Sequence, residues 1–411
     1  MKRTKSAAIL ALLPGLLLVP VGGVALAATS TTGTSGGVHN GRDGGARGAV
    51  TRLAAPPANR SARPVSRPVA LRDSCAQVRA HLTEDAARGI RRVMCVTSTL
   101  PVKAMAVPFL CNSGSEHFLR FADCLDIGWV ANIINTQTGQ VVGKVRGSIT
   151  FWNSLSYKSR IWPESIQLHV SSVTGEGAGT TINAPLGCVV GVVPVQADCQ
   201  PNGTGKWAGQ KGFLLATAGK TYTGELGFES VTAATVKFEF EVFMTFENPN
   251  TSPGSLVIGP TTDVRCDSKN YFKPTTGGCA YPSWTLNVLY LSTNDSTVSQ
   301  AAKFILAAQN AIPNHRGQIG SLAMTRLTDR TKMKANRRVA CRNVHPGPGQ
   351  SCDEYPFASS HQGAALVPRG YWRARALNAR QNSKVGTLLG RLFLTSRIID
   401  GDPFYVGIKT P

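Results

Sequence analysis

Acidic residues are scarce in this chain. Of its 411 residues, 23 are Asp or Glu and 44 are Lys or Arg, a formal net charge of +21. So large an imbalance argues for a polyanionic partner, either nucleic acid or an anionic envelope polymer. Charged residues make up only 16% and apolar ones 42%, which excludes a globally disordered chain and leaves enough side chains for a core. Long apolar runs are missing beyond residue 28, which excludes a polytopic membrane protein. The ten cysteines contain no C-x-x-C pair, so the short chelate spacings of zinc ribbons and fingers are absent.

The one apolar run is N-terminal. Lys2, Arg3 and Lys5 precede a stretch from Ala7 to Ala28 that ends in Ala25-Leu26-Ala27-Ala28, the pattern of a secretory signal peptide over residues 1–28. Pro14, Pro20 and Gly22-Gly23 interrupt it, which speaks against an uncleaved anchor. An even cysteine count in an exported, extracellular chain points to disulfides. The cysteines fall into neighbouring couples: Cys75 and Cys95, Cys111 and Cys124, Cys188 and Cys199, Cys266 and Cys279, Cys341 and Cys352. Sequential pairing is the simplest connectivity, and the sequence leaves others open. Residues 29–70 hold almost no large apolar side chains and carry Arg42, Arg47, Arg52, Arg60, Arg63 and Arg67 against Asp43, so they read as a disordered basic linker.

The remainder divides by pattern and charge into two expected domains. Residues 71–290 read as mainly β, a sandwich or barrel-like domain of unknown role. Val236, Phe238, Phe240, Val242, Met244 and Phe246 alternate with polar residues, as a half-buried antiparallel strand requires. Trp129–Asn135 and Gln140–Trp152 flank the turn-like Thr136-Gln137-Thr138-Gly139 and predict a hairpin. This region holds 18 basic and 16 acidic residues and so is not the source of the charge. Residues 295–411 hold 17 basic and 6 acidic ones. There Asn294 or Asp295 is expected to cap a helix whose apolar face is Val298, Ala301, Ala302, Ile305 and Ala308. Arg326, Arg330, Lys332, Lys334, Arg337, Arg338 and Arg342 then form a cationic run, which can be a solvated face or a phosphate-binding surface.

That run leads into Cys352-Asp353-Glu354-Tyr355-Pro356-Phe357-Ala358, where two adjacent carboxylates follow a cysteine of the last couple. Asp353 and Glu354 can simply pair with nearby arginines. Facing a polyphosphate, they make chemical sense when a divalent cation stands between them and the ligand. Residues 371–377, with Arg373 and Arg375 alternating with Trp372, Ala374 and Ala376, suggest a second strand. Asn382-Ser383 then appears as the start of a helix with Val385, Leu388, Leu389, Leu392 and Phe393 on its apolar face.

The motif at 352–358, Asn382 and Gly386, and the segment Arg397 to Val406 together resemble the NucA/NucB family of secreted deoxyribonucleases over about residues 295–411. The resemblance implies an α+β protein in which the mainly-β domain precedes a small ββα-metal type nuclease domain. It further implies a secreted endonuclease that hydrolyses DNA without sequence specificity, using Mg²⁺ or Mn²⁺. In that picture Asp353, Glu354 and Asn382 hold the metal, and Asp353 or Glu354 activates water. Arg326, Arg330, Lys334, Arg337, Arg338, Arg373 and Arg375 clamp phosphates. The family motif continues with an acidic residue and paired glycines, whereas this chain has His361-Gln362-Gly363-Ala364. Gln362 has no basic group to offer as a proton acceptor, and His361 is the candidate to replace it. The competing reading is a non-catalytic binder of extracellular DNA or anionic polymer that retains only the basic surface.

Overall fold

The computed structural model describes residues 65–68, 71–99, 111, 114–190, 193–194, 199–231, 234–259, 261–272 and 277–411. The expected signal peptide and most of the expected linker lie outside these residues. Residues 65–68, at the end of that linker, form a strand paired with Ser115–Phe118.

Two antiparallel sheets make the N-terminal lobe. The first is built on the long strands Ala122–Asn135, Val141–Ser154 and Ile161–Gly175, continued by Thr221–Glu229 and Gln200–Lys206. Arg92–Thr99 and Ser115–Phe118 pair along the same edge of Ala122–Asn135, one after the other. The expected hairpin is present: Asn135 Oδ1 accepts from the Gln137 amide at 2.9 Å, and Gly139 takes the positive φ of 69° that closes the turn. The second sheet centres on Val236–Glu247, which pairs with Leu186–Val190, Thr181–Asn183, Gly254–Ile258 and Val264–Asp267. Its Phe238, Phe240, Val242, Met244 and Phe246 are all buried, as the alternation requires. They meet the other sheet through ring contacts, Trp129 edge-on to Phe246 at 5.0 Å and Trp162 stacked on Phe238 at 5.5 Å. One apolar core therefore joins the two sheets face to face, as in a β-sandwich.

The C-terminal lobe has its own core. Its elements are β1 (Val288–Ser292), α1 (Ser299–Ala311), β2 (Met324–Thr325), α2 (Arg330–Cys341), β3 (Gln350–Tyr355), β4 (Arg373–Asn378), α3 (Ala379–Thr395) and β5 (Pro403–Lys409). Strand β5 lies between β1, which it parallels, and β2, to which it is antiparallel. Strands β3 and β4 form a separate antiparallel ribbon that leads directly into α3. Leu289, Ile305, Tyr355, Val385, Leu389, Phe393, Phe404 and Val406 pack between them. All the described residues fall in one compact unit.

Two helix starts differ from expectation. Helix α1 begins at Ser299 with Val298 at its N-cap; Asp295 instead accepts from the Thr297 amide and hydroxyl at 2.9 and 2.7 Å, closing the turn before it. Helix α3 begins at Ala379 because β4 ends at Asn378, whose side chain accepts from the amides of Arg380 and Gln381. Asn382 is thus inside the first turn rather than at the cap. Five disulfides join the cysteines in sequential couples, and no described helix is long and apolar enough to cross a membrane.

Candidate active site

Strand β3 carries both carboxylates and is held on three sides. The Cys341–Cys352 disulfide ties it to the end of α2. Opposite it on β4, Arg375 faces Asp353 and Ala374 faces Glu354. At its far end the buried Tyr355 hydroxyl accepts from Gln309 Nε2 at 3.0 Å and donates to the Arg316 carbonyl at 2.8 Å. Neighbours on an extended strand point to opposite faces, so Asp353 and Glu354 have different surroundings. Glu354 is 4% exposed and lies 3.5 Å from the Arg337 guanidinium of α2, and its Oε1 also accepts from the Ala358 amide at 3.3 Å. Burial raises its carboxyl, and Arg337 opposes the rise.

Asp353 is 5% exposed. Its Oδ1 accepts from the Glu354 amide at 2.9 Å, while its Oδ2 is buried without a hydrogen-bond partner. Burial and the neighbouring Glu354 charge push the carboxyl up to about 7. A buried carboxylate with an orphaned oxygen has the donor chemistry of a hard-cation ligand. Asn382 belongs to the same neighbourhood, since its Nδ2 donates to Ser351 Oγ at 3.1 Å and to the Cys352 carbonyl at 3.0 Å. With the nitrogen so engaged, the amide oxygen is the atom left to ligate. Among the described residues, the one close grouping of three metal-ligating side chains is Cys341, Cys352 and Glu354. Both sulfurs are spent in the disulfide, so oxygen donors are what the site offers a cation.

The loop after the motif is fixed by a residue that the sequence reading passed over. Asn336, fully buried in the middle of α2, donates to the carbonyls of Ala358 and Ser360 at 2.9 and 3.3 Å and accepts from the Ala365 amide at 3.0 Å. Its signal was available: Met333, Asn336 and Ala340 are spaced as the inner face of a helix whose other faces are charged. Gly363 is required here, because a Cβ would sit 2.1 Å from the Asn336 amide nitrogen. Gln362 accepts from the Thr325 amide at 2.8 Å and donates to the Thr325 hydroxyl at 3.2 Å, so it joins the loop to β2. His361 lies 3.5 Å from Asp400, whose carboxylate also accepts from the Thr328 amide at 2.8 Å.

The cations separate into two groups. Arg330, Lys334 and Arg337 recur at helical spacing, so one stripe of α2 runs toward Glu354, with Arg338 beside it. All four are exposed, Arg337 to 69%. Arg375 is exposed on β4. Two other candidates are diverted. The Arg326 guanidinium is packed among the rings of Tyr271, Phe272 and Phe393 and donates to the Ile398 carbonyl. That of Arg373 donates to the carbonyls of Gly370, Trp372 and Ala311. Both guanidiniums therefore serve packing and backbone satisfaction in place of the phosphate contacts expected of them.

Residues 313–407 match the family model described as Deoxyribonuclease NucA/NucB, a little under a quarter of the chain. No curated protein and no solved structure matches.

Proposed function

We propose, from the NucA/NucB deoxyribonuclease match over residues 313–407, that the C-terminal lobe hydrolyses DNA phosphodiester bonds with a divalent cation, without sequence preference and outside the cell. The observation that carries the metal dependence is the buried, unpartnered oxygen of Asp353 beside Glu354. Asp353 with Asn382, or Glu354 on the other face of β3, are the residues that would hold Mg²⁺ or Mn²⁺ through oxygen. When bound, the cation would supply charge neutralisation at the scissile phosphate.

The chain's own residues account for the rest. Arg330, Lys334, Arg337 and Arg338 attract and seat the DNA backbone, a sequence-independent contact. Arg337 also gives Glu354 its counter-charge, so the end of the cationic stripe meets that carboxylate. Of the two carboxylates, the one that does not hold the cation would orient or deprotonate the attacking water. His361, 3.5 Å from Asp400, is the candidate general base in place of Gln362. Five disulfides suit an oxidising, extracellular setting.

The binder reading retains one specific support. Both ends of the Gln362 amide are engaged by Thr325, so no acidic base stands at that position. Plasmid nicking by the protein with Mg²⁺ or Mn²⁺, with and without chelator, decides between the two. Asp353→Ala and Glu354→Ala should each lower the rate by roughly 10²-fold or more, the scale of losing an acid/base participant, while DNA affinity holds. A parent protein that cuts nothing with any divalent cation, yet binds DNA, establishes the binder.

A further inference from the structure

The β-sandwich grips the nuclease lobe at one turn, residues 396–402, between α3 and β5. Arg120 of the sandwich donates to the carbonyls of Ser396 and Arg397 at 2.7 and 2.8 Å and to Asp402 at 3.0 Å. Arg265 donates to both Asp402 oxygens at 2.7 and 2.8 Å and to the Arg397 carbonyl at 2.8 Å. In the opposite sense, the turn's Arg397 reaches into the sandwich and donates to both oxygens of Asp267 at 2.9 and 3.0 Å. Arg397 and Asp267 are each completely buried. The Tyr271 hydroxyl accepts from the Asp400 amide at 3.3 Å. Burial works to raise the Asp402 carboxyl, and Arg265 and Arg120 more than reverse it, holding it below its ordinary value.

Arg397 has a positive φ of 43° just past the end of α3, where glycine is the usual residue. A bulky side chain in that conformation persists when the surroundings over-determine it, and such positions cluster where geometry matters to function. From this turn, hydrogen bonds and peptide links alternate to the site. Arg326 exchanges backbone bonds with Asp402 and Gly401 at 3.0 and 2.8 Å. Leu327 donates to the Ser359 carbonyl at 2.8 Å and His361 to that of Thr325 at 2.9 Å. Ala358 then donates to the Glu354 carboxylate, while Asp400 itself meets Thr328 and His361.

We infer that the β-sandwich is a positioning lobe of the nuclease, with Arg397 and Asp402 as positioning residues that set Asp400, His361 and the 358–362 loop against Glu354. The inference rests on the nuclease reading for its kinetic consequence, though its structural consequence is measurable without it. A chain of contacts becomes a coupling only when perturbations along it interact, so the test is a double-mutant cycle.

Arg397→Gly relieves the backbone and removes the Arg397–Asp267 arm of the grip; Asp402→Asn weakens the arms from Arg120 and Arg265; Tyr271→Phe removes only the hydroxyl on Asp400. In the full chain, Arg397→Gly and Asp402→Asn should lower kcat by about ten-fold or more, on the scale of a slight misplacement at a reacting centre, with KM for DNA held. Combined with His361→Ala, each should cost less than the product of the single effects. Hydrogen exchange should show faster amides at Leu327, Thr328 and Ala358, with the strands Ala122–Asn135 and Val141–Ser154 still protected. Asp263→Ala, at an exposed sandwich pair with Lys237, serves as the neutral control. Unchanged kcat, or fully multiplicative losses with His361→Ala, overturns the inference. If Arg397→Gly and Asp402→Asn unfold the whole chain, Tyr271→Phe decides, and unaltered exchange at Thr328 in that variant refutes it. A parent without nuclease activity defeats the functional reading alone, and the exchange measurements still judge the positioning.

Discussion

Replacing Asp353 by Asn should make the protein more stable and less active, and the gain should depend on pH. Burial and Glu354 raise the carboxyl from 3.8 to about 7. Its folded value thus lies above its unfolded one, so ionising it opposes folding. The penalty is absent below pH 4, accumulates between pH 4 and 7, and is complete above 7. Three pH units correspond to about 4 kcal/mol. Asparagine removes this penalty while its carbonyl still accepts from the Glu354 amide. Its nitrogen, in place of the orphaned Oδ2, has no acceptor and costs about 1 to 3 kcal/mol. The net gain at pH 8 is about 1 to 3 kcal/mol, or roughly 2 °C in melting midpoint per kcal/mol in a unit of this size. At pH 4 only the amide cost remains, and the variant should be the weaker protein. Calorimetric melts of both proteins from pH 4 to 8.5, in chelator, measure the crossing. Added Mg²⁺ should then raise the parent's midpoint at pH 8 and leave the variant's nearly unchanged, because a cation stabilises the state it binds. A parent-to-variant difference constant across this pH range would refute the reasoning.

Two further outcomes are expected. The Cys341→Ser, Cys352→Ser variant should lose about 3 kcal/mol, the entropy of an 11-residue closure, and most of its activity, with the sandwich melting as before; equal cleavage by the variant in plasmid nicking defeats the staple argument. DNA affinity should fall with salt at a logarithmic slope near −4 if Arg330, Lys334, Arg337 and Arg338 each neutralise a phosphate, and Lys334→Ala should reduce that slope by about 1, whereas a flat titration removes the stripe from the mechanism.

Local patterns were readable where one physical signal dominated. The alternation of Val236–Glu247, the turn at Gln137–Gly139 and the apolar face of α3 each follow from a side-chain period or a turn's demand for a positive φ, and each stands as expected. Helix starts were less legible, because Asn378 and Asn382 are equally good capping residues and only the length of β4 selects the first. Arginines misled for a related reason. Charge says that Arg326 and Arg373 seek anions, yet their guanidiniums went to aromatic faces and backbone carbonyls that lie close only in the folded chain. The partnership of Asp267 with Arg397 spans 130 positions and had no local signature at all. Asn336 was hidden differently, inside a cationic run whose composition drew attention away from its helical period.

The place of β5 in its sheet has a consequence for biosynthesis. Residues 403–409 are translated after both strands they join, β1 and β2, and directly after the turn that the sandwich grips. A growing chain can finish the sandwich early, since its strands lie before residue 281, but the nuclease lobe lacks its central strand until residue 409 has been added. The last residues made are therefore the ones that close the C-terminal lobe, and they enter its sheet between two strands already present.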